Sequence, residues 1–235
     1  MPADTPSGGI DVSRIRGLLF DVDGTLSDTD DYMVQQLSGF LQPISWLFKD
    51  RDLRNFSRGL VMFSETPGNF LYSLADRLGL DTVIAGVYNW LAQKRPPQPI
   101  EEDEYHMIPG IKEMLAVLAG RYSMAVVSAR DAHTTQRFLE YFDLLPFFDS
   151  IVTSQTCRHT KPFPDPVLYA AEKLGLPADA CLMIGDTIVD VRSGKAAGTQ
   201  TLAVLCGFGT LRELRRAGAD LILSSTPDLL KIFKS

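Results

Sequence analysis

The sequence predicts an α/β protein, a doubly wound parallel sheet with an α-helical cap domain inserted after its first strand. Three observations carry that expectation. Short apolar runs of strand length recur between stretches of helical spacing over residues 107–235. Several of those runs end on a polar or acidic residue, as in LLFDVDGT (18–25), AVVSAR (125–130) and LMIGDTIVD (182–190). Residues 29–93 contain helical stripes and no convincing alternating strand.

In chain order, residues 1–13 are rich in Pro, Gly, Ser and Asp and read as a loose tail. The core begins at residue 14, and its first strand, residues 18–20, runs into Asp21 and Asp23 and then turns at Gly24 and Thr25. The core takes in residues 14–28 and resumes over 107–235. Between these parts, Val34, Leu37, Leu41, Ile44, Trp46 and Leu47 recur at helical spacing. So do Phe70, Leu71, Leu74 and Leu78, which stop at Gly79, a residue suited to a left-handed helix end. Val83, Val87, Trp90 and Leu91 form a further stripe. Residues 94–106, KRPPQPIEEDEYH, are proline-rich and then acidic, the composition of a linker. The pattern then reads helix 111–118, strand 124–128, helix 132–142, strand 150–153 and helix 165–174. Strands at 181–185 and 201–205 alternate with further helices, and a short strand at 221–223 precedes a helix to the end. Such alternation implies right-handed crossovers and a parallel sheet covered on both faces.

The hydrophobic share of 45% and charged share of 22% are those of an ordinary soluble globular chain. A net charge of −6 argues against nonspecific attraction to nucleic acid or an anionic membrane. No run approaches the roughly 18 apolar residues of a membrane helix, and the amino terminus has no signal-peptide core. Cys157, Cys181 and Cys206 show neither CxxC spacing nor an even count, so no disulfide framework or zinc site is indicated. A cytoplasmic setting is the expectation.

Strands avoid aspartate, so two of them at a strand end need a reason. Alternating side-chain direction makes Asp21 and Asp23 neighbours on one face, able to serve one substrate. Close carboxylates repel unless a cation joins them or one is protonated, and hard oxygen ligands suit Mg²⁺. Ser128, Lys161 in the TKPFPDP loop, Gly185, Asp186 and Asp190 add a hydroxyl, an ammonium and further carboxylates at other strand ends. In an open α/β sheet that edge is where ligand crevices form. These are the groups needed to hold a phosphoryl group and a metal together.

DVDGT, Ser128, Lys161 ahead of a proline-rich turn, and GDTIVD resemble, in order, the four motifs of the haloacid dehalogenase superfamily. The resemblance is nearest to its phosphoglycolate-phosphatase-like branch and covers residues 14–28 and 107–235. It implies a Rossmann-like core carrying a helical cap of the first type, and a phosphatase acting on a small phosphorylated metabolite. It assigns Asp21 as nucleophile, forming an aspartyl-phosphate, and Asp23 as acid and base. It assigns Mg²⁺ to the Asp21 carboxylate, the Asp23 backbone carbonyl and Asp186. Ser128, the amide of Ala129 and Lys161 would bind phosphate. Gly24 would allow the tight turn, and the Thr25 hydroxyl would support it. Asp190 would reach the metal through water or orient Lys161, or simply favour a helix start.

The sequence departs from the usual pattern after Ser128, where Ala129 and Arg130 stand in place of a polar residue and lysine. The task of Arg130 is open at this stage: pairing behind the site, or an exposed charge. A phosphomutase of the β-phosphoglucomutase type on the same core is the nearest alternative. A phosphate-accepting signalling module is a second, disfavoured by the length of the chain and its insertion. A dehalogenase would need no Asp23. Arg51, Arg54 and Arg58 would share one helix face in the cap, more simply read as solvated than as a substrate site. Oligomeric state has no signal in the sequence.

Overall fold

The computed structural model describes residues 9–28 and 105–233. The helical reading of 29–93, most of the linker and Arg51, Arg54 and Arg58 lie outside the described residues. Six parallel strands form one sheet: β1 (Gly17–Phe20), β2 (Ser123–Val127), β3 (Ser150–Val152), β4 (Cys181–Gly185), β5 (Gln200–Val204) and β6 (Leu221–Leu223). Their spatial order is β3-β2-β1-β4-β5-β6. From β1 the chain builds one half of the sheet through β2 and β3, then crosses to β4 and builds the other half. β1 therefore sits at the switch in strand order, where an open sheet leaves a crevice beyond its carboxyl ends.

Every residue of β1 is buried, and Leu18, Leu19 and Phe20 have no exposed surface. A strand buried on both faces reads as a continuous apolar run, which is why no alternation is visible in GLLF. On one face Leu19, Ala125, Val127, Val152 and Met183 pack with Val167, Ala170 and Ala171 of α3 (Asp165–Lys173). Truncating a side chain such as Leu19 to alanine would cost about 2–5 kcal/mol.

Five α-helices lie among the described residues. Besides α3 they are α1 (Ile111–Leu118), α2 (Ala132–Tyr141), α4 (Ile188–Ala197) and α5 (Leu211–Ala217). α1 buries Ile111, Met114, Leu115 and Leu118, spaced three and four apart along one face. Asp131 caps α2 by accepting from the Thr134 amide at 3.0 Å. α4 ends at Gly198 in the left-handed conformation (φ 81°).

The predicted terminal helix differs: residues Thr226–Lys231 form a 3-10 helix. Pro227 lies in its first turn, and tighter bonds close its ends, from Asp228 N to Ser225 O (3.1 Å) and from Ile232 N to Leu229 O (2.9 Å).

Where the chain leaves and re-enters the core, Ser27 and Met107 form an isolated antiparallel bridge. Asp28 N donates to His106 O at 2.8 Å and Ile108 N to Leu26 O at 3.1 Å. Tyr105 is buried beside this neck, its ring 6.1 Å from Phe138 and 5.6 Å from Tyr141. All three cysteines are free thiols, Cys181 buried and the others partly so. No helix among the described residues is long and apolar enough to cross a membrane.

Candidate active site

The polar groups gather at the carboxyl edge of the three central strands. Asp21 follows β1, and its amide donates to Ile184 O of β4 at 2.9 Å, so the backbone ladder itself fixes the start of the loop. Asp21 is buried. Gly24 turns the chain with φ 66°, a left-handed value costly to other residues. It also passes so close to Asp186 that a methyl group there would collide with the carboxylate.

Lys161 lies in the loop before α3 and is almost wholly buried. Its Nζ reaches Asp21 Oδ1 at 2.7 Å and Asp190 Oδ1 at 2.6 Å. The other oxygen of Asp190 accepts from the Thr187 amide (3.0 Å) and from Thr187 Oγ1 (2.6 Å) at the start of α4. Asp190 thus braces Lys161 and fastens the helix start at once. His159 steadies the same loop, with Nδ1 3.1 Å from Asp165 Oδ1 and its ring 5.0 Å from that of Phe163.

Asp186 directly follows β4 with no exposed surface, and its Oδ2 accepts from the Phe208 amide at 2.7 Å. Phe208 belongs to Cys206, Gly207, Phe208 and Gly209, the turn that follows β5. Gly207 lies against Asp186 so closely that any side chain there would displace the carboxylate. This support was not read from the sequence, although two glycines around an aromatic directly after an apolar strand signal close backbone approach.

Ser128 follows β2, is buried, and donates its amide to Val152 O at 2.9 Å. Its Oγ accepts from the Arg130 amide at 3.1 Å, and Ala129 between them is exposed. Arg130 closes a two-pronged salt bridge on Asp23, with Nε to Oδ2 at 2.7 Å and Nη2 to Oδ1 at 2.5 Å. Arg130 is therefore paired in the structure, not an exposed charge.

Thr25 holds the turn through its backbone rather than through its side chain as expected. Its amide donates to Val22 O (3.2 Å) and its carbonyl accepts from Thr226 Oγ1 (2.6 Å). The Thr25 hydroxyl is buried with no hydrogen-bond partner among the described residues.

The electrostatics follow from burial. Loss of water pushes the Asp21 carboxyl up to about 7; Lys161 opposes the rise, and the nearby negative charges of Asp190 and Asp23 add to it. Burial works against the Lys161 ammonium, yet Asp190 and Asp21 together hold its pKa above the ordinary lysine value. Burial likewise opposes the Arg130 charge and Asp23 more than offsets it.

One oxygen each from Asp21, Asp186 and Asp190 lies within 4.8 Å of the others. Buried carboxylates are normally paired or metal-bound, and only hard oxygen donors are present. The cluster therefore offers the donor chemistry of a site for a hard divalent cation. Both Asp190 oxygens already serve Lys161 and Thr187, which leaves Asp21 and Asp186 as the better side-chain ligands.

Known proteins resemble this chain in sequence and in fold. Over 93% of its length the chain is 29% identical to 96% of Pyrophosphatase PpaX from Oceanobacillus iheyensis. It is 28% identical to Phosphoglycolate phosphatase from Nitrosococcus oceani, covering 88% of this chain and 92% of that one. A hydrolase from Pseudomonas syringae has a similar structure, with TM-score 0.64, 25% identity, and 93% and 98% of the two chains covered. Fold and similarity together define a hydrolytic enzyme of the parallel α/β class. The haloacid dehalogenase-like hydrolase family model matches residues 68–204, and the chain belongs to that family.

Proposed function

We propose that this chain is a Mg²⁺-dependent phosphatase that hydrolyses a small phosphorylated metabolite through an aspartyl-phosphate on Asp21. The observation that carries the reading is the buried Asp21–Lys161–Asp190 relay, with Asp186 in the same cluster, at the sheet edge. Phosphoryl transfer needs an in-line nucleophile, a proton donor for the leaving oxygen and positive charge around the phosphoryl oxygens.

An Asp21 oxygen attacks phosphorus. The bond from phosphorus to the leaving oxygen breaks, that oxygen keeps the electron pair, and Asp23 supplies its proton. In the second step Asp23 takes a proton from water, whose oxygen attacks phosphorus. The Asp21–phosphorus linkage breaks, returning the carboxylate and inorganic phosphate. Lys161 offsets the negative charge between Asp21 and the phosphoryl group, and Asp190 keeps it aimed. Ser128 and the Ala129 amide hold phosphoryl oxygens. Asp21, Asp186 and the Asp23 backbone carbonyl would hold Mg²⁺, which supplies further positive charge against the phosphoryl oxygens.

The names of the relatives, pyrophosphatase and phosphoglycolate phosphatase, support a compact phosphorylated substrate such as phosphoglycolate or a sugar phosphate. Phosphate release from a panel of such compounds, with and without Mg²⁺, tests the reading. Turnover is expected with Mg²⁺ only, and Asp21→Asn should lower it by more than about 10³-fold. Undiminished phosphate release by Asp21→Asn would remove Asp21 as nucleophile.

A further inference from the structure

The two salt-bridged corners of the site differ in access. The Asp23 side chain is 34% exposed and that of Arg130 15%, against 9% for Asp21 and 3% for Lys161. The Asp23–Arg130 pair therefore forms the open side of the cluster. Among the described residues, the Arg130 backbone amide donates to Ser128 Oγ, its guanidinium lies 5.5 Å from the centre of the Phe138 ring, and its fork takes both Asp23 oxygens. A guanidinium fork matches the two oxygens of a carboxylate or phosphate. If Asp23 faces the leaving oxygen, this fork stands on the leaving-group side. Lys161 cannot serve there, because Asp21 and Asp190 engage it.

On the phosphatase reading above, on which this inference rests, we infer that Arg130 recognises a negative charge on the leaving group. Asp23 occupies its fork until such a group arrives. An incoming carboxylate or phosphate replaces one anion by another, so the guanidinium stays paired and the Asp23 carboxyl is freed to face the leaving oxygen. A neutral leaving group offers the fork nothing in exchange, and Asp23 stays held. The favoured substrates are phosphoric esters and anhydrides whose departing half carries a carboxylate or phosphate.

The test compares kcat/KM for 2-phosphoglycolate with that for 2-hydroxyethyl phosphate, which replaces the carboxylate by a neutral hydroxymethyl group, and adds pyrophosphate as a second anionic probe. The wild type should prefer 2-phosphoglycolate by about 30-fold or more. Arg130→Gln should collapse that ratio to about 3 or less, chiefly by losing the anionic substrates, and Arg130→Lys should fall between. Melting curves on each variant establish that it is folded, and the lysine variant carries the test if the glutamine variant is not. A wild-type ratio near one, or an unchanged ratio in the folded variants, overturns the inference while leaving the phosphatase reading intact. Equal losses on both esters would make Arg130 a positioning residue for Asp23 alone and would also overturn it. Absence of hydrolysis of all three probes by an enzyme that releases phosphate from sugar phosphates would overturn the inference alone. Absence of phosphate release from the whole panel with Mg²⁺ would count against the phosphatase reading, and the inference would fall with it.

Discussion

The Lys161 corner and the Arg130 corner solve the same problem, pairing an aspartate with a cation, under opposite solvent conditions. Lys161 is shared by two buried carboxylates, at 2.7 and 2.6 Å, and has almost no contact with water. Arg130 grips one half-exposed carboxylate with two prongs. Where water is excluded, removing one partner strands a charge that nothing else can solvate. Where water has access, it fills the gap and the pair can open and re-form. The difference separates a fixed, water-excluded scaffold from a contact that can open and re-form.

The largest effect should come from breaking the buried corner. Lys161→Met is expected to destabilise the fold by about 3–5 kcal/mol, whereas Arg130→Met should cost about 1–2 kcal/mol. Urea unfolding of both variants measures this, and equal losses would erase the contrast.

A smaller effect should follow from crowding Asp186. Gly207→Ala pushes its methyl group into that carboxylate and should weaken Mg²⁺ binding by about 10–100-fold. Titration calorimetry reads this directly, and unaltered affinity would mean that Asp186 does not hold the ion.

The smallest effect concerns pH. Asp21 titrates near 7 in the folded chain against 3.8 ordinarily. Because its folded value is raised, its contribution to stability is fully present below pH 3.8 and is lost as pH rises through about 7. Asp21→Asn carries no such loss. In chelator, the melting temperature of the variant minus that of the wild type should widen by a few degrees between about pH 4 and 7 and then stay level. A difference independent of pH would show that burial does not perturb this carboxyl.

What the sequence made legible was local. Asp21, Ser128 and Asp186 announce themselves because each interrupts an apolar run at a strand end, and β4 and α1 fall at the expected positions for the same reason of unbroken periodicity. Groups joined across long separations were not legible. Arg130 meets Asp23 across 107 positions, and Phe208 meets Asp186 across 22. No local pattern encodes either, since both arise from which strands become neighbours. Thr25 illustrates a subtler gap: its place in the turn was readable, but whether hydroxyl or backbone would carry the bonds depended on Thr226 arriving from the far end of the chain. The terminal helix follows from the strand–helix alternation alone, and Pro227 and the shortness of the segment tighten it.

The bridge between Ser27 and Met107, with the bonds from Asp28 to His106 and from Ile108 to Leu26, closes the sheet's margin at the very point where residues 29–104 depart and return. With both ends clasped, the crossover from β1 to β2 is complete without reference to what lies between them. Loop-closure entropy rises only with the logarithm of length, so inserts of quite different size cost the core nearly the same. The clasp is a socket: the stretch between its ends can change in length or sequence while the carboxylates at the sheet edge keep their positions.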